Sequence, residues 1–303
     1  MLRIASVAQG MITKGQPMIR HLPMFLSGLT AGRSLPSVAP QPFRDILPTI
    51  KQDVPNPKGK IAIFTGCLLD FVYVDIATDV VKALNMAGYI VEMPLGQACC
   101  GAPATYMGDV ENAKKAAEMN LNAMEAEKYD YIVSACPTCT HALRDYVDFF
   151  KDDPEMLKKA EALRSKTFDF CKLVSMLGGL PDTGDGVPMK VTYHASCHLN
   201  RYLGVTKEQR ELLKATKGVE LIEMHDCDKC CGFGGSYSVK FPEMSAPILE
   251  EKINNIVASG ADVVAVDCPG CLLQIRGGLD ARGLNNIQVK HTAQIVVEKR
   301  EKK

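Results

Sequence analysis

Short apolar runs alternate with longer stretches of helical period along most of this chain. Lys60–Thr65 (KIAIFT), Tyr89–Met93 (YIVEM) and Tyr129–Ala135 (YDYIVSA) are rich in β-branched and aromatic residues and predict three buried strands. Between them, Asp75–Ala87 predicts a helix closed by Gly88, a usual residue just past a helix end. Asp109–Glu127 predicts an Ala- and Glu-rich helix with Asp109 as its N-cap, and a further helix starts near Pro137. The same order then returns. Lys190–His194, Val219–Met224 and Asp262–Asp267 predict strands. Lys207–Thr216, Pro247–Ser259 (capped by Gly260) and Cys268–Arg276 predict helices. Strands alternating with helices predict an α/β fold: two duplicated lobes related by a pseudo-twofold, each a parallel sheet flanked by helices. The expected division is an N-terminal arm at 1–57 and cysteine-rich domains at 58–185 and 186–303.

Composition narrows the function classes. The 303 residues are 47% hydrophobic and 23% charged, which is ordinary for a packed globular chain. Lys plus Arg equals Asp plus Glu at 35 each, so no excess positive charge recommends nucleic acid as a partner. No apolar run reaches the length of a membrane span, and the N-terminus has no clear apolar export core. The expected location is therefore cytoplasmic, a compartment where disulfides rarely persist.

In that setting the twelve cysteines point to metal or redox chemistry. Ten form two sets: Cys67, Cys99, Cys100, Cys136 and Cys139, then Cys197, Cys230, Cys231, Cys268 and Cys271. Corresponding members are separated by 130, 131, 131, 132 and 132 residues. Cysteines used only as small core residues would not reproduce five positions this closely. Cys67 and Cys197 follow the first predicted strand of each half, and Cys136 and Cys268 follow the third. Beyond the carboxyl ends of strands is where open α/β sheets bind ligands. Cys136-Pro-Thr-Cys139 and Cys268-Pro-Gly-Cys271 each open a helix, where free N–H groups and the helix dipole favour a thiolate. Gly101 and Gly232 let the Cys-Cys-Gly loops turn tightly.

Three chemistries compete for five thiols. Structural zinc takes four ligands in regular pairs and leaves one thiol over. A disulfide between adjacent residues such as Cys99 and Cys100 sits at a poor Cα separation. An iron–sulfur cluster accepts four or more irregularly spaced thiolates and fits best, with zinc and thiol redox as the alternatives.

The duplicated Cys…Cys-Cys-Gly…Cys-x-x-Cys pattern resembles the cysteine-rich CCG domain family. That family includes the cysteine-rich catalytic subunit of heterodisulfide reductase, the iron–sulfur subunits of glycolate oxidase and anaerobic glycerol-3-phosphate dehydrogenase, and the lactate-utilisation iron–sulfur oxidoreductases. Val191-Thr-Tyr-His-Ala-Ser-Cys197-His198 and Cys230-Cys-Gly-Phe-Gly-Gly-Ser-Tyr-Ser-Val-Lys240 look most like the last group. The resemblance spans about residues 58–300 and implies a [4Fe-4S] cluster on each set of five cysteines, two in all. In the heterodisulfide reductase relatives such a set holds a non-cubane cluster. The complete pair Cys136 and Cys139 departs from many lactate-utilisation proteins and pulls the likeness toward the heterodisulfide reductase type.

The resemblance further implies an oxidoreductase subunit that passes electrons from a lactate- or glycolate-oxidising subunit to a quinone or other carrier. The alternatives are direct reduction of a disulfide at a non-cubane cluster, and a structural zinc protein. Implied partners are a flavoprotein subunit, a ferredoxin-like subunit carrying two [4Fe-4S] clusters, and a quinone or membrane subunit reached from the inner membrane face. Longer relatives carry the ferredoxin motifs themselves; this sequence has none. Residues 1–53 are a different region, with five Lys or Arg and no acid through Arg44, and read as a surface arm packed on the body, as a docking segment for a partner subunit or a membrane surface, or as a transit peptide. Cys171 reads as core, Cys227 as a spectator or an alternative ligand, and His194 and His198 as satisfied histidines or as donors to a cluster sulfur. Gly232-Phe-Gly-Gly235 reads as a turn, not a nucleotide loop.

Overall fold

The computed structural model describes residues 18–19, 34–181 and 186–301. Two four-stranded sheets carry the fold. The first contains β1 (Gly59–Ile63), β2 (Tyr89–Glu92), β3 (Tyr131–Ser134) and β4 (Thr167–Asp169), in the order β2-β1-β3-β4. The second contains β5 (Met189–Tyr193), β6 (Val219–Leu221), β7 (Val263–Val266) and β8 (Gln288–His291), in the order β6-β5-β7-β8. All pairings in these two sheets are parallel. The registers repeat as well. Ile61 pairs with Val91 and Tyr131, and Val191, 130 positions later, pairs with Leu221 and Val263. The α/β expectation and the duplication both hold at the level of individual pairs.

Helices cover the sheets. The first lobe has α1 (Gly66–Phe71), α2 (Val74–Met86), α3 (Ala102–Tyr106), α4 (Val110–Met124), α5 (Pro137–Asp145), α6 (Pro154–Lys166) and α7 (Phe170–Met176). The second has α8 (Glu208–Lys214), α9 (Tyr237–Lys240), α10 (Pro242–Ala258), α11 (Pro269–Ala281) and α12 (Thr292–Glu298), with one π-helical turn at His198–Tyr202. Asp109 caps α4 as expected, its carboxylate accepting from the Asn112 N–H. The final strand of each lobe was not read from sequence. Thr167–Asp169 is three residues long, and Asp169 doubles as the N-cap of α7, so the helix begins directly at Phe170. Likewise α10 starts at Pro242 rather than Pro247, because proline fits the first turn and Pro247 lies close enough to it to be tolerated.

The lobes join through two equivalent helix pairs. α2 of the first lobe packs on α12 of the second, and α8 of the second packs on α7 of the first. Ile76, Ala77, Val80, Val81 and Leu84 of α2 are fully buried and share one core with Ala293, Val296 and Val297 of α12. Burying one such branched side chain contributes about 1.5–3 kcal/mol. Several together exceed the roughly 0–1 kcal/mol of an exposed ion pair such as Lys82–Glu301 at the same seam. The seam is therefore held by apolar contact, and the two lobes form one body.

The arm reaches both lobes. Leu35–Pro36 pairs antiparallel with Met18–Ile19, the Ser34 N–H donates to Gly277 O, and Phe43 is fully buried. The rest of the expected docking segment, residues 1–17 and 20–33, lies outside the described residues. Among the described residues no helix is long and apolar enough to cross a membrane.

Candidate metal centre

In each lobe the strand order reverses beside the first strand, so a crevice opens between the carboxyl ends of the first and third strands. Cys67 sits in the first turn of α1, just beyond β1. Cys136 is the N-cap of α5, Pro137 fills its first position, and Cys139 lies in its first turn. Cys99 and Cys100 come from the loop after β2, where Gly101 turns the chain at φ +79°. The second lobe repeats this. Cys197 precedes the π-helical turn, Cys268 caps α11, Cys271 lies in its first turn, and Gly232 turns at φ +83° after Cys230-Cys231. A Cβ at Gly232 would lie 2.7 Å from the backbone oxygen of Ser245. Gly232→Ala is therefore expected to cost about 2–4 kcal/mol, from the left-handed backbone and the overlap together. Urea unfolding would measure this loss.

The thiols of the two sets form one continuous series. In the first lobe Cys67 couples to Cys99, Cys99 to Cys100, Cys100 to Cys139 and Cys139 to Cys136. Cys136 then meets Cys268 of the second lobe. From there Cys268 couples to Cys271, Cys271 to Cys231, Cys231 to Cys230 and Cys230 to Cys197. The order reads the same from either end, so the pseudo-twofold passes between Cys136 and Cys268. The six middle thiols are buried, Cys67 and Cys99 are exposed, and Cys197 and Cys230 are half-buried.

Such crowding cannot hold many negative charges unaided. The Cys100 and Cys67 thiols pull the Cys99 pKa down to about 2, while Cys99 and then burial push the Cys67 pKa well up. The Cys197 and Cys231 thiols do the same to Cys230, and Cys230 and then burial raise Cys197. One thiolate is stabilised only while its neighbours remain protonated. Five thiolates in one crevice need a multiply charged cation among them, so this donor set fits an iron–sulfur group or another thiophilic metal.

The surrounding side chains fix the sulfur positions. Asn120 on α4 accepts from the Ala98 N–H at 2.8 Å and donates to Cys99 O at 2.9 Å. It also meets the Tyr146 hydroxyl at 2.9 Å, which itself donates to Cys100 O at 3.0 Å. Asn120→Leu would strand the Ala98 N–H and the Cys99 carbonyl. Each stranded group costs about 1–3 kcal/mol, so the expected loss is about 2–4 kcal/mol, with poorer metal uptake confined to the first lobe. Calorimetry and metal analysis of the variant would read both effects. In α10 the corresponding position is Lys252, whose buried ammonium donates to Asp226 O at 2.5 Å and Cys227 O at 3.3 Å.

His194 is buried beside the second set. One of its ring nitrogens lies within 4.8 Å of the sulfurs of Cys231 and Cys271; among the described residues neither ring nitrogen makes a well-formed hydrogen bond, and the Cys227 backbone acts on the ring only weakly. Burial, and then the nearby Lys252 charge, pull its pKa down to about 4, so a neutral imidazole offers one N–H to this site. His198, by contrast, is satisfied. It meets the Tyr106 hydroxyl at 2.9 Å and stacks on Tyr202, bridging the lobes at the surface. Cys171 is buried in α7 as expected, its thiol donating to Asp267 at 3.3 Å, and Asp267 also accepts from the Tyr193 hydroxyl at 2.6 Å. Cys227 stands outside the series and accepts from Arg210 at 3.2 Å. Lys252 was missed by the sequence reading, although it follows buried Leu249 by three positions and so lies on the inward face of α10.

Comparison with known proteins agrees with this duplication. The CCG Cysteine-rich domain family matches residues 61–144 and again 191–276. Lactate utilization protein A of Shouchella clausii is 39% identical over 240 residues, 79% of this chain and 99% of that protein. Lactate utilization protein A of Bacillus subtilis is 36% identical over 238 residues, 78% of this chain and 98% of that protein. Among solved structures, a hypothetical protein from Helicobacter pylori shares the fold, with a TM-score of 0.56 at 11% identity over 86% of this chain and 54% of that one. Two copies of one cysteine-rich unit, each matched separately and each built on the same strand order, make this chain a member of the CCG cysteine-rich domain family.

Proposed function

We propose that this protein is the iron–sulfur electron-transfer subunit of a lactate-oxidising system, with Cys67, Cys99, Cys100, Cys136 and Cys139 holding one four-iron group and Cys197, Cys230, Cys231, Cys268 and Cys271 holding another. The observation that carries this reading is the single series of ten sulfurs, from exposed Cys67 through a buried middle to half-buried Cys197. Iron–sulfur groups, when bound, supply reversible one-electron chemistry at a potential tuned by charge, hydrogen bonds to sulfur and solvent exposure.

The chain's own residues supply the rest. The Cys136 and Cys271 thiols favour a thiolate at Cys268, and the N–H groups of Cys271 and Gly270 at the start of α11 add to this. The matching turn of α5 presents Cys136 and Cys139 from an equivalent helix start. Asn120 and Tyr146 hold the first Cys-Cys loop, and Lys252 holds the backbone leading into the second. Burial of the six middle thiols excludes water from the centre of the series. The names of the relatives support lactate as the source of electrons. A flavoprotein, a ferredoxin-like subunit and a quinone carrier are the partners this reading implies.

Deleting the gene from its host tests the assignment. Growth on lactate as the only carbon source is expected to stop and to return with the wild-type gene but not with a Cys136→Ala, Cys268→Ala copy. Unimpaired growth on lactate would refute it, as would rapid turnover of a disulfide by the isolated chain with an artificial electron donor.

A further inference from the structure

The two centres are built on one plan but differ in charge. Phe64 and His194 are equivalent, since each extends the first strand of its lobe, with N–H bonds to Val133 O and Ala265 O respectively. Asn120 and Lys252 are equivalent too. The Gly101 and Gly232 turns rest against Ala113 and Ser245, seven residues before Asn120 and Lys252 in α4 and α10. Phe71 in α1 corresponds to Arg201 in the π-helical turn, and Asp70 to Asn200. Three positions that are apolar or neutral in the first lobe are therefore basic or proton-donating in the second.

We propose that His194, Arg201 and Lys252 make the two centres unequal, so that the second-lobe centre is reduced first and forms the electron-accepting end of the chain. This inference rests on the iron–sulfur reading above. Lys252 is fully buried, and its ammonium donates to the carbonyls of Asp226 and Cys227, in the segment that leads into Cys230 and Cys231; burial lowers its pKa, and Cys227 and then Cys231 oppose that shift. Inside a protein a buried charge is poorly screened, so an added electron is stabilised more beside Lys252 than beside Asn120. His194 aims a ring with no well-formed hydrogen bond into the same sulfur group, whereas Phe64 has no donor to offer. Arg201 lies on the exposed turn four residues after Cys197 and adds positive charge at the rim of the second site.

Nearby counter-charges do not undo the contrast. Arg44 stands over Phe71 in the first lobe, but it is paired with buried Asp70. In the second lobe Asp226 faces His225 and Lys229, Glu251 is paired with Lys229, and Asp228 acts on Lys252 less than Cys227 and Cys231 do.

Redox titration of the anaerobically reconstituted full chain, followed by paramagnetic resonance, tests this. Dithionite supplies one electron per centre, with no bond made or broken. Cys139→Ala and Cys271→Ala assign the two signals to lobes. The signal lost in Cys271→Ala is expected to appear first on reduction. Lys252→Asn is expected to disfavour that reduction by about tenfold or more (about 59 mV for one electron) and leave the other signal in place. Asn120→Lys is expected to favour reduction of the first-lobe centre, and Lys252→Arg to preserve the wild-type order. If Lys252→Asn does not fold, Arg201→Phe on the exposed turn is expected to shift the second-lobe signal in the same direction by a smaller amount. A second-lobe signal that appears last or together with the first would overturn the inference, as would a substitution that moves both signals equally. Absence of both signals from the wild type would instead overturn the iron–sulfur reading.

Discussion

Replacing Cys271 with alanine is expected to remove about half of the bound iron, roughly four atoms of eight, while the first-lobe signal survives. Cys271 is buried and lies between Cys268 and Cys231, so its loss separates Cys268 from the rest of the second set. Cys139→Ala should produce the mirror result, because Cys139 joins Cys100 to Cys136. Cys171→Ala provides the contrast. That thiol is equally buried but donates to Asp267 rather than joining the series, so iron content should be unchanged while stability falls. Iron analysis of the three variants after identical anaerobic reconstitution gives the comparison. Equal iron loss in all three would show that the series does not define the ligands.

Stripping the iron is expected to lower the unfolding midpoint by about 10 °C. A ligand present at a thousandfold excess over its Kd stabilises the folded state by about 4 kcal/mol, and in a chain of this size each kcal/mol is worth about 2–4 °C. The physical cause is local. Without a cation, the buried thiols crowd one another and the His194 ring nitrogens make no well-formed hydrogen bond among the described residues. Calorimetry of loaded and chelator-treated protein measures the difference. The Asn120→Leu variant should narrow it, because its first site is loosened in both states. Identical midpoints with and without iron would mean that the sites contribute nothing to the fold.

Much of this architecture is legible in the amino-acid order, for identifiable reasons. Buried parallel strands are continuous apolar runs, so Ile61–Ile63, Tyr131–Ser134 and Val263–Val266 stand out. The cysteine repeat near 131 residues reports the duplication directly. The final strands escape notice because Thr167–Asp169 and Gln288–His291 are short edge strands whose residues also serve as helix caps. The meeting of Cys136 with Cys268 is not written in either repeat. It depends on how α2 docks on α12 and α7 on α8, a property of faces that come together only in three dimensions. His194 could be named from sequence as a neighbour of Cys197, but its lack of a well-formed hydrogen bond could not. Lys252 was hidden by the ordinary expectation that a lysine on a helix faces water.

If each set of five cysteines holds an iron–sulfur group, both iron and sulfide should accompany the isolated protein. Iron, acid-labile sulfide and zinc should be quantified on the anaerobically isolated full chain, with spectra before and after dithionite. About eight iron and a comparable amount of sulfide per chain, a brown solution, and paramagnetic signals on reduction are expected. One or two zinc ions in a colourless protein, with no sulfide and no signal after attempted reconstitution, would contradict the iron–sulfur reading.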